Sequence, residues 1–205
     1  MKRLVVLVIT LLVSACQSMP EKLPQNVSWE THQAEISAVR YWFATGRVAI
    51  KNGTESWHVN LLWLQQADVY QVRLYGPFGA GQVHIKGNRD GAELQTSDEK
   101  HFARDVDFLL YETTGVRMPV SELRYWMVGL PSPNGHDTKQ VGADGRLEKL
   151  QQADWQVDYK RYTVVNGVTL PKKIFARNSR LDVRVVIDKW ELGVPNEDNP
   201  FNDPG

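Results

Sequence analysis

The residues able to do bond-making chemistry are few and badly placed for it. Cys16 is the only thiol, and the five histidines are His32, His58, His84, His101 and His136. The histidines are scattered, without the close spacing of metal ligands. His58 and His84 sit in alternating segments and are expected to face solvent or each other across strands. Ser97 and Lys100 stand three apart, a spacing at which a lysine can serve a serine nucleophile. That chemistry needs the serine at a helix start and a Lys-Thr-Gly partner, which occurs nowhere in the chain. Gly79-Ala80-Gly81 lacks the third glycine of a dinucleotide-binding turn. Asp105 and Asp107 read as a solvated helical turn, not an acid–base pair. The expectation is a protein that is not an enzyme and needs no cofactor, nucleotide or metal.

What chemistry remains belongs to Cys16. Lys2 and Arg3 precede an apolar run over residues 4–13. At about ten residues the run is too short to span a bilayer, where about twenty are needed. Ser14 and Ala15 supply the small residues of a signal-peptide cleavage site. Val13-Ser14-Ala15-Cys16 resembles the lipobox of bacterial lipoproteins, which implies cleavage before Cys16 and lipid on the new N-terminus. The alternative is an ordinary secretory signal with an incidental cysteine. A lone free thiol is a liability in an oxidising space, and acylation would remove it. Gln17 stands where an Asp would mark inner-membrane retention in enterobacterial-type lipoproteins, so that resemblance implies the outer membrane, facing the periplasm.

Composition narrows the rest. Without residues 1–15 the chain has 190 residues, enough for one domain with a substantial core. Lys2 and Arg3 leave with the signal and no acid does, so the mature net charge is −2. That balance argues against a nucleic-acid binder, which would carry a basic stripe. Seven Trp, seven Tyr and six Phe suit a strand-rich fold.

The elements that must carry any site follow from periodicity. Residues 16–27 read as a lipidated tether with two prolines. Ser28 can cap a helix over 29–39. Period two then predicts strands over 41–51, 57–64, 69–75, 82–86 and 92–96, with Asn52-Gly53 as a tight turn. Phe102, Val106, Leu109 and Leu110 fall on one face of a helix running to 114, stopped by Gly115. A second helix follows Pro119, with Val120, Leu123, Met127 and Leu130 on its stripe. Residues 132–145 read as loop with one short strand. Strands return over 146–151, 155–160, 170–177 and 181–187. Residues 191–205 hold three prolines and four acids without Lys or Arg, and read as a disordered tail. Nine to eleven antiparallel strands with one apolar face imply a strongly curved sheet or partial barrel. The two inserted helices would lie across it as a lid.

These pieces together resemble the LolB family of outer-membrane lipoproteins. The resemblance runs from Trp29 to Trp190. It rests on the lipobox, the Trp-rich meander, the Gly76-Pro77-Phe78-Gly79 loop and the string Leu123-Arg124-Tyr125-Trp126-Met127-Val128-Gly129-Leu130-Pro131. It implies a mainly β, single-domain, unclosed antiparallel barrel with an α-helical lid over a hydrophobic cavity, spanning residues 28–190. It also implies a receptor that takes acylated lipoproteins from the periplasmic carrier LolA and inserts them into outer-membrane lipid without ATP, acting as a monomer.

Val59, Leu61, Trp63, Val72, Leu74, Val83, Ile85, Leu123, Trp126, Met127 and Trp155 are the candidate acyl-chain cavity. At each of these positions an ordinary filled core is an equal reading. Met127 has a flexible thioether suited to varied ligands. Phe78 takes the loop position that usually carries an exposed Leu in the family, and there it would be a membrane-inserting wedge. The alternative folds Phe78 back on the sheet edge. Two other roles fit a similar half-barrel: binding of another amphiphile, or a purely structural envelope subunit with a filled core.

Overall fold

The computed structural model describes Leu23, residues 27–77, residues 81–193 and Phe201. The signal segment, Cys16 and most of the tether lie outside the described residues, as do Phe78 and Gly79. Helix α1, Trp29–Ser37, starts where expected, with the Ser28 side-chain oxygen accepting the Thr31 N–H at 3.2 Å. Its Ile36 is buried in the core.

Strands β1 (Tyr41–Asn52), β2 (Glu55–Gln66), β3 (Val69–Tyr75), β4 (Val83–Gly87), β5 (Ala92–Gln95) and β6 (Lys100–Ala103) form a meander. Helices α2 (Val106–Thr114) and α3 (Val120–Val128) interrupt it. Strands β7 (Asp137–Val141), β8 (Leu147–Gln152), β9 (Trp155–Val165), β10 (Val168–Arg177) and β11 (Leu181–Leu192) complete the sheet. The order is β6-β5-β4-β3-β2-β1-β11-β10-β9-β8-β7, antiparallel throughout. Pairing of β1 with β11 joins the two halves, and among the described residues β6 and β7 are the edge strands. The fold is thus mainly β, an unclosed sheet with helices.

The bend is built into the chain. At Thr45/Gly46 the β1–β11 register shifts, and a Cβ on Gly46 would strike the Val186 carbonyl. Such a bulge strengthens local twist and lets strands curl around a core. The Asn166-Gly167 turn takes positive φ at both residues, 50° and 80°, as a two-residue hairpin requires.

Three expectations need correction. Phe102 does not belong to the α2 stripe: it lies on β6 and is 70% exposed. Asp105 is the reason, since its carboxylate accepts the Asp107 and Phe108 N–H groups and starts the helix at Val106. Asp107 is not in a solvated turn. It is half-buried and accepts both the backbone N–H and the hydroxyl of Ser121, at 3.1 and 2.5 Å. The tail boundary also moves. Strand β11 continues through Glu191 to Leu192, because its Trp42↔Leu192 and Phe43↔Glu191 pairs extend the ladder. Phe201 in turn packs on the outer face against Phe43 and His84, with ring centroids 6.1 and 5.7 Å apart.

The Asp107–Ser121 pair ties α2 to α3. Asp107→Ala leaves two half-buried donors without their acceptor and is expected to cost about 1–3 kcal/mol. Asp107→Asn keeps an acceptor and should lose less. Urea unfolding of the three proteins orders them, and an alanine variant as stable as the parent would refute the tie.

Candidate functional site

The strand candidates lie on one inner face of the sheet, and Leu123, Trp126 and Met127 of α3 pack into the same cluster. The register explains it: Val48 stands opposite Val59, Ala44 opposite Trp63, Trp63 opposite Val72, and Val72 opposite Ile85. Leu61, Leu74 and Val83 form the adjoining row. Every second residue points inward, so one continuous apolar surface crosses four strands. Leu61, Trp63, Val72, Ile85, Trp126, Met127 and Trp155 are buried in one cluster. Val59, Leu74, Val83 and Leu123 are partly buried against it.

Tryptophans hold the middle. Trp42 packs on Trp63 and Trp190 with centroids 5.6 and 5.3 Å apart. Trp126 of α3 reaches down to Trp155 of β9, 6.0 Å between centroids. The helix is pinned to the sheet by a buried amide that sequence reasoning missed. Gln152 accepts the Trp126 indole N–H and the Ser132 N–H, both at 2.9 Å. Its own NH₂ donates to the carbonyls of Ser132 and Asn134 at 2.8 and 3.1 Å. The signal was available, because Gln152 is a polar residue on the inward period of β8, opposite Trp155. Tyr159 donates from its hydroxyl to the Trp126 carbonyl at 3.0 Å. Burial pushes the Tyr159 phenol far above its ordinary range, so it stays a neutral donor.

A cleft of about 900 Å³ opens beside this core. Phe108, Tyr111, Met118 and Trp155 line it together with Arg117, Arg180 and the carboxylates of Asp105, Asp107, Glu112 and Asp154, so it is more polar than apolar. Trp155 therefore faces both the packed interior and the cleft. Phe108 is 57% exposed there, an exposed ring that sequence reasoning also missed.

The β3–β4 loop leaves the sheet at Tyr75 and returns at Val83. Gly76 is buried and Pro77 exposed. At its base on the outer face, Arg73 stands opposite His84. His84 faces Arg73 and Gln95 in the neighbouring strands and does not meet His58, which lies on β2 with β3 between them.

Burial first, then Lys86 and Arg73, lower the His84 pKa to about 4. The unfolded imidazole titrates near its ordinary 6.5. Between these values the unfolded chain binds more protons than the folded one. The stability His84 contributes is therefore present above pH 6.5 and is lost as pH falls towards 4. Thermal melts of His84→Gln should show a shallower loss over that window. An unchanged slope would contradict the assignment.

Comparison with known proteins gives a family and a fold. Residues 40–190 match the family model for "Outer membrane lipoprotein LolB". The chain is 35% identical over 165 residues to an outer-membrane lipoprotein LolB of Pseudomonas aeruginosa, covering 80% of each chain. It is 35% identical over 186 residues to one of Alkalilimnicola ehrlichii, covering 89% of this chain and 92% of the relative. Among solved structures, a DUF1329 family protein from Desulfovibrio piger superposes with a TM-score of 0.57 at 7% identity, over 83% of this chain and 92% of that one. A LolA superfamily protein from Nitrosomonas europaea gives 0.53 at 8%, over 83% and 96%. At such identities these two likenesses concern the fold alone.

Proposed function

The chain belongs to the outer membrane lipoprotein LolB family, and from that premise we propose that it receives acylated lipoproteins from a LolA-type periplasmic carrier and delivers them into the outer membrane. It does so as a monomer held at the periplasmic face by lipid on Cys16. The observation that carries this reading is the apolar inner face of an open sheet, covered by short helices instead of a second sheet. An acyl chain gains about 0.8 kcal/mol for each CH₂ removed from water. Parting α2 and α3 from the sheet would expose Trp63, Leu61, Val72, Ile85, Trp126 and Met127 to such a chain.

Transfer then runs downhill, driven by the difference in apolar burial between donor and receiver, and consumes no ATP. Release needs the cargo brought to the bilayer, a task that falls to the Gly76-Pro77-Phe78-Gly79 loop. The test mixes the unlipidated protein with a LolA-type carrier loaded with an acylated lipoprotein, without nucleotide. Cargo is expected to co-purify with this chain. Cargo left on a carrier that does hand it to another LolB protein would defeat the receptor reading.

A further inference from the structure

The outer face of the sheet carries a second cleft, of about 450 Å³, beside the β3–β4 loop. Pro77 of that loop and His58 line it together with Arg47, Lys173, Phe175 and Arg184. None of its lining residues is acidic. Strand register makes the grouping: Arg184 stands opposite Phe175 on one side and Ala49 on the other, and Lys173 stands opposite Val186. Lys173 and Arg184 both lie over the Phe175 ring, 5.2 and 5.3 Å from its centroid. The ring holds two long cationic side chains in place at little further entropic cost.

Two of the nearby carboxylates are engaged elsewhere, and a third stands in register with other cations. Asp188 receives Arg47 at 2.8 and 3.1 Å. Asp158, opposite Phe175, is taken by Lys160 and Arg177 at 3.2 and 3.5 Å. Asp182 stands opposite Lys51 and Arg177. Among the described residues, neither Lys173 nor Arg184 forms an ion pair. Two uncompensated cations on an aromatic plate suit a phosphodiester anion.

We propose that this cleft binds the headgroup of an anionic phospholipid and so sets the β3–β4 loop against the membrane. The site rests on the reading of the protein as one that delivers cargo to a bilayer. That reading puts the loop at the lipid surface, and Pro77 joins loop and cleft. Charge complementarity selects the occupant: the cleft offers cations without acids, and the inner surface of a bacterial envelope membrane offers phosphodiesters. Each cation near an anionic surface strengthens binding about five-fold. Losing both should weaken it about twenty-five-fold.

The experiment uses the chain from residue 16 onward with Cys16→Ala, so that no acyl anchor masks the effect. Co-sedimentation is measured with phosphatidylcholine vesicles with and without phosphatidylglycerol. The parent is expected to prefer the anionic vesicles. The Lys173→Gln/Arg184→Gln double variant, checked by thermal melt, should lose that preference. A Lys139→Gln/Lys149→Gln control, on strands β7 and β8, should keep it. Equal binding by parent and double variant, an equal loss in the control, or inorganic phosphate binding without any vesicle preference would each overturn the proposal. Cargo uptake from the loaded carrier is scored on the same parent preparation. Failure there strikes the receptor reading, whereas failure of vesicle preference alone strikes only this site.

Discussion

Phe78→Glu is expected to leave uptake of cargo from the carrier intact and to cut its delivery into vesicles about thirty-fold or more. An apolar side chain entering the bilayer is favourable, whereas a carboxylate there costs a few kcal/mol. The exchange therefore reverses the sign of the loop's contribution. Of the flanking residues, Pro77 is exposed and β3 and β4 are fixed by Leu74↔Val83 and Arg73↔His84 pairing. Phe78→Leu preserves an apolar tip and should deliver at near the parental rate. The check is a two-step assay, with carrier to receptor measured first and receptor to vesicle second. Parental delivery by the glutamate variant would remove the wedge from the account.

Gln152→Leu is expected to cost about 3–5 kcal/mol of stability. The amide sits 2% exposed and satisfies the Trp126 indole, the Ser132 N–H and two carbonyls. Leucine fills similar space but leaves these groups buried without partners, at about 1–3 kcal/mol for each unsatisfied group. Relaxation of the 132–134 loop towards water recovers part of that. Because Trp126 carries α3, the helix should also loosen, seen as faster amide exchange over Val120–Val128. Guanidinium unfolding gives the magnitude. A loss under about 1 kcal/mol would show that Gln152 does not hold the helix to the sheet.

The strands were readable because one-sided burial forces period two, and the Asn166-Gly167 turn carried its own signal. The first hairpin turns one residue later than expected, at Gly53-Thr54, since Asn52 still pairs with Glu55, and the turns at Ala67 and Ala153 carried no such signal. The strand ends were less so. Beyond Ile187 the alternation itself breaks, because the bulge at Thr45/Gly46 leaves Asp188 out of the register, so that Lys189 is exposed and Trp190 buried. Strand β6 was hidden because Phe102 fits a helical spacing to Val106. Only the Asp105 cap decides between the two. The eleven apolar candidates were read from strand faces, the helical lid and the family resemblance, and all of them lie in or against one buried cluster. What alternation does not encode is which polar residue ties cover to sheet. Gln152 and Ser121 act through partners 26 and 14 positions away. The outer cations escaped for the same reason, since Lys173 and Arg184 meet only through the β10–β11 register.

The central claim is that acyl chains enter between α3 and the sheet. A photoreactive p-benzoyl-phenylalanine placed at Leu123, half-buried on the inner side of α3, tests it directly, with a second protein carrying the label at Phe175 on the outer face. After transfer of an acylated lipoprotein, illumination is expected to cross-link cargo from position 123 and not from position 175. Cross-linking from the outer position alone, or from neither when cargo is bound, would contradict the account.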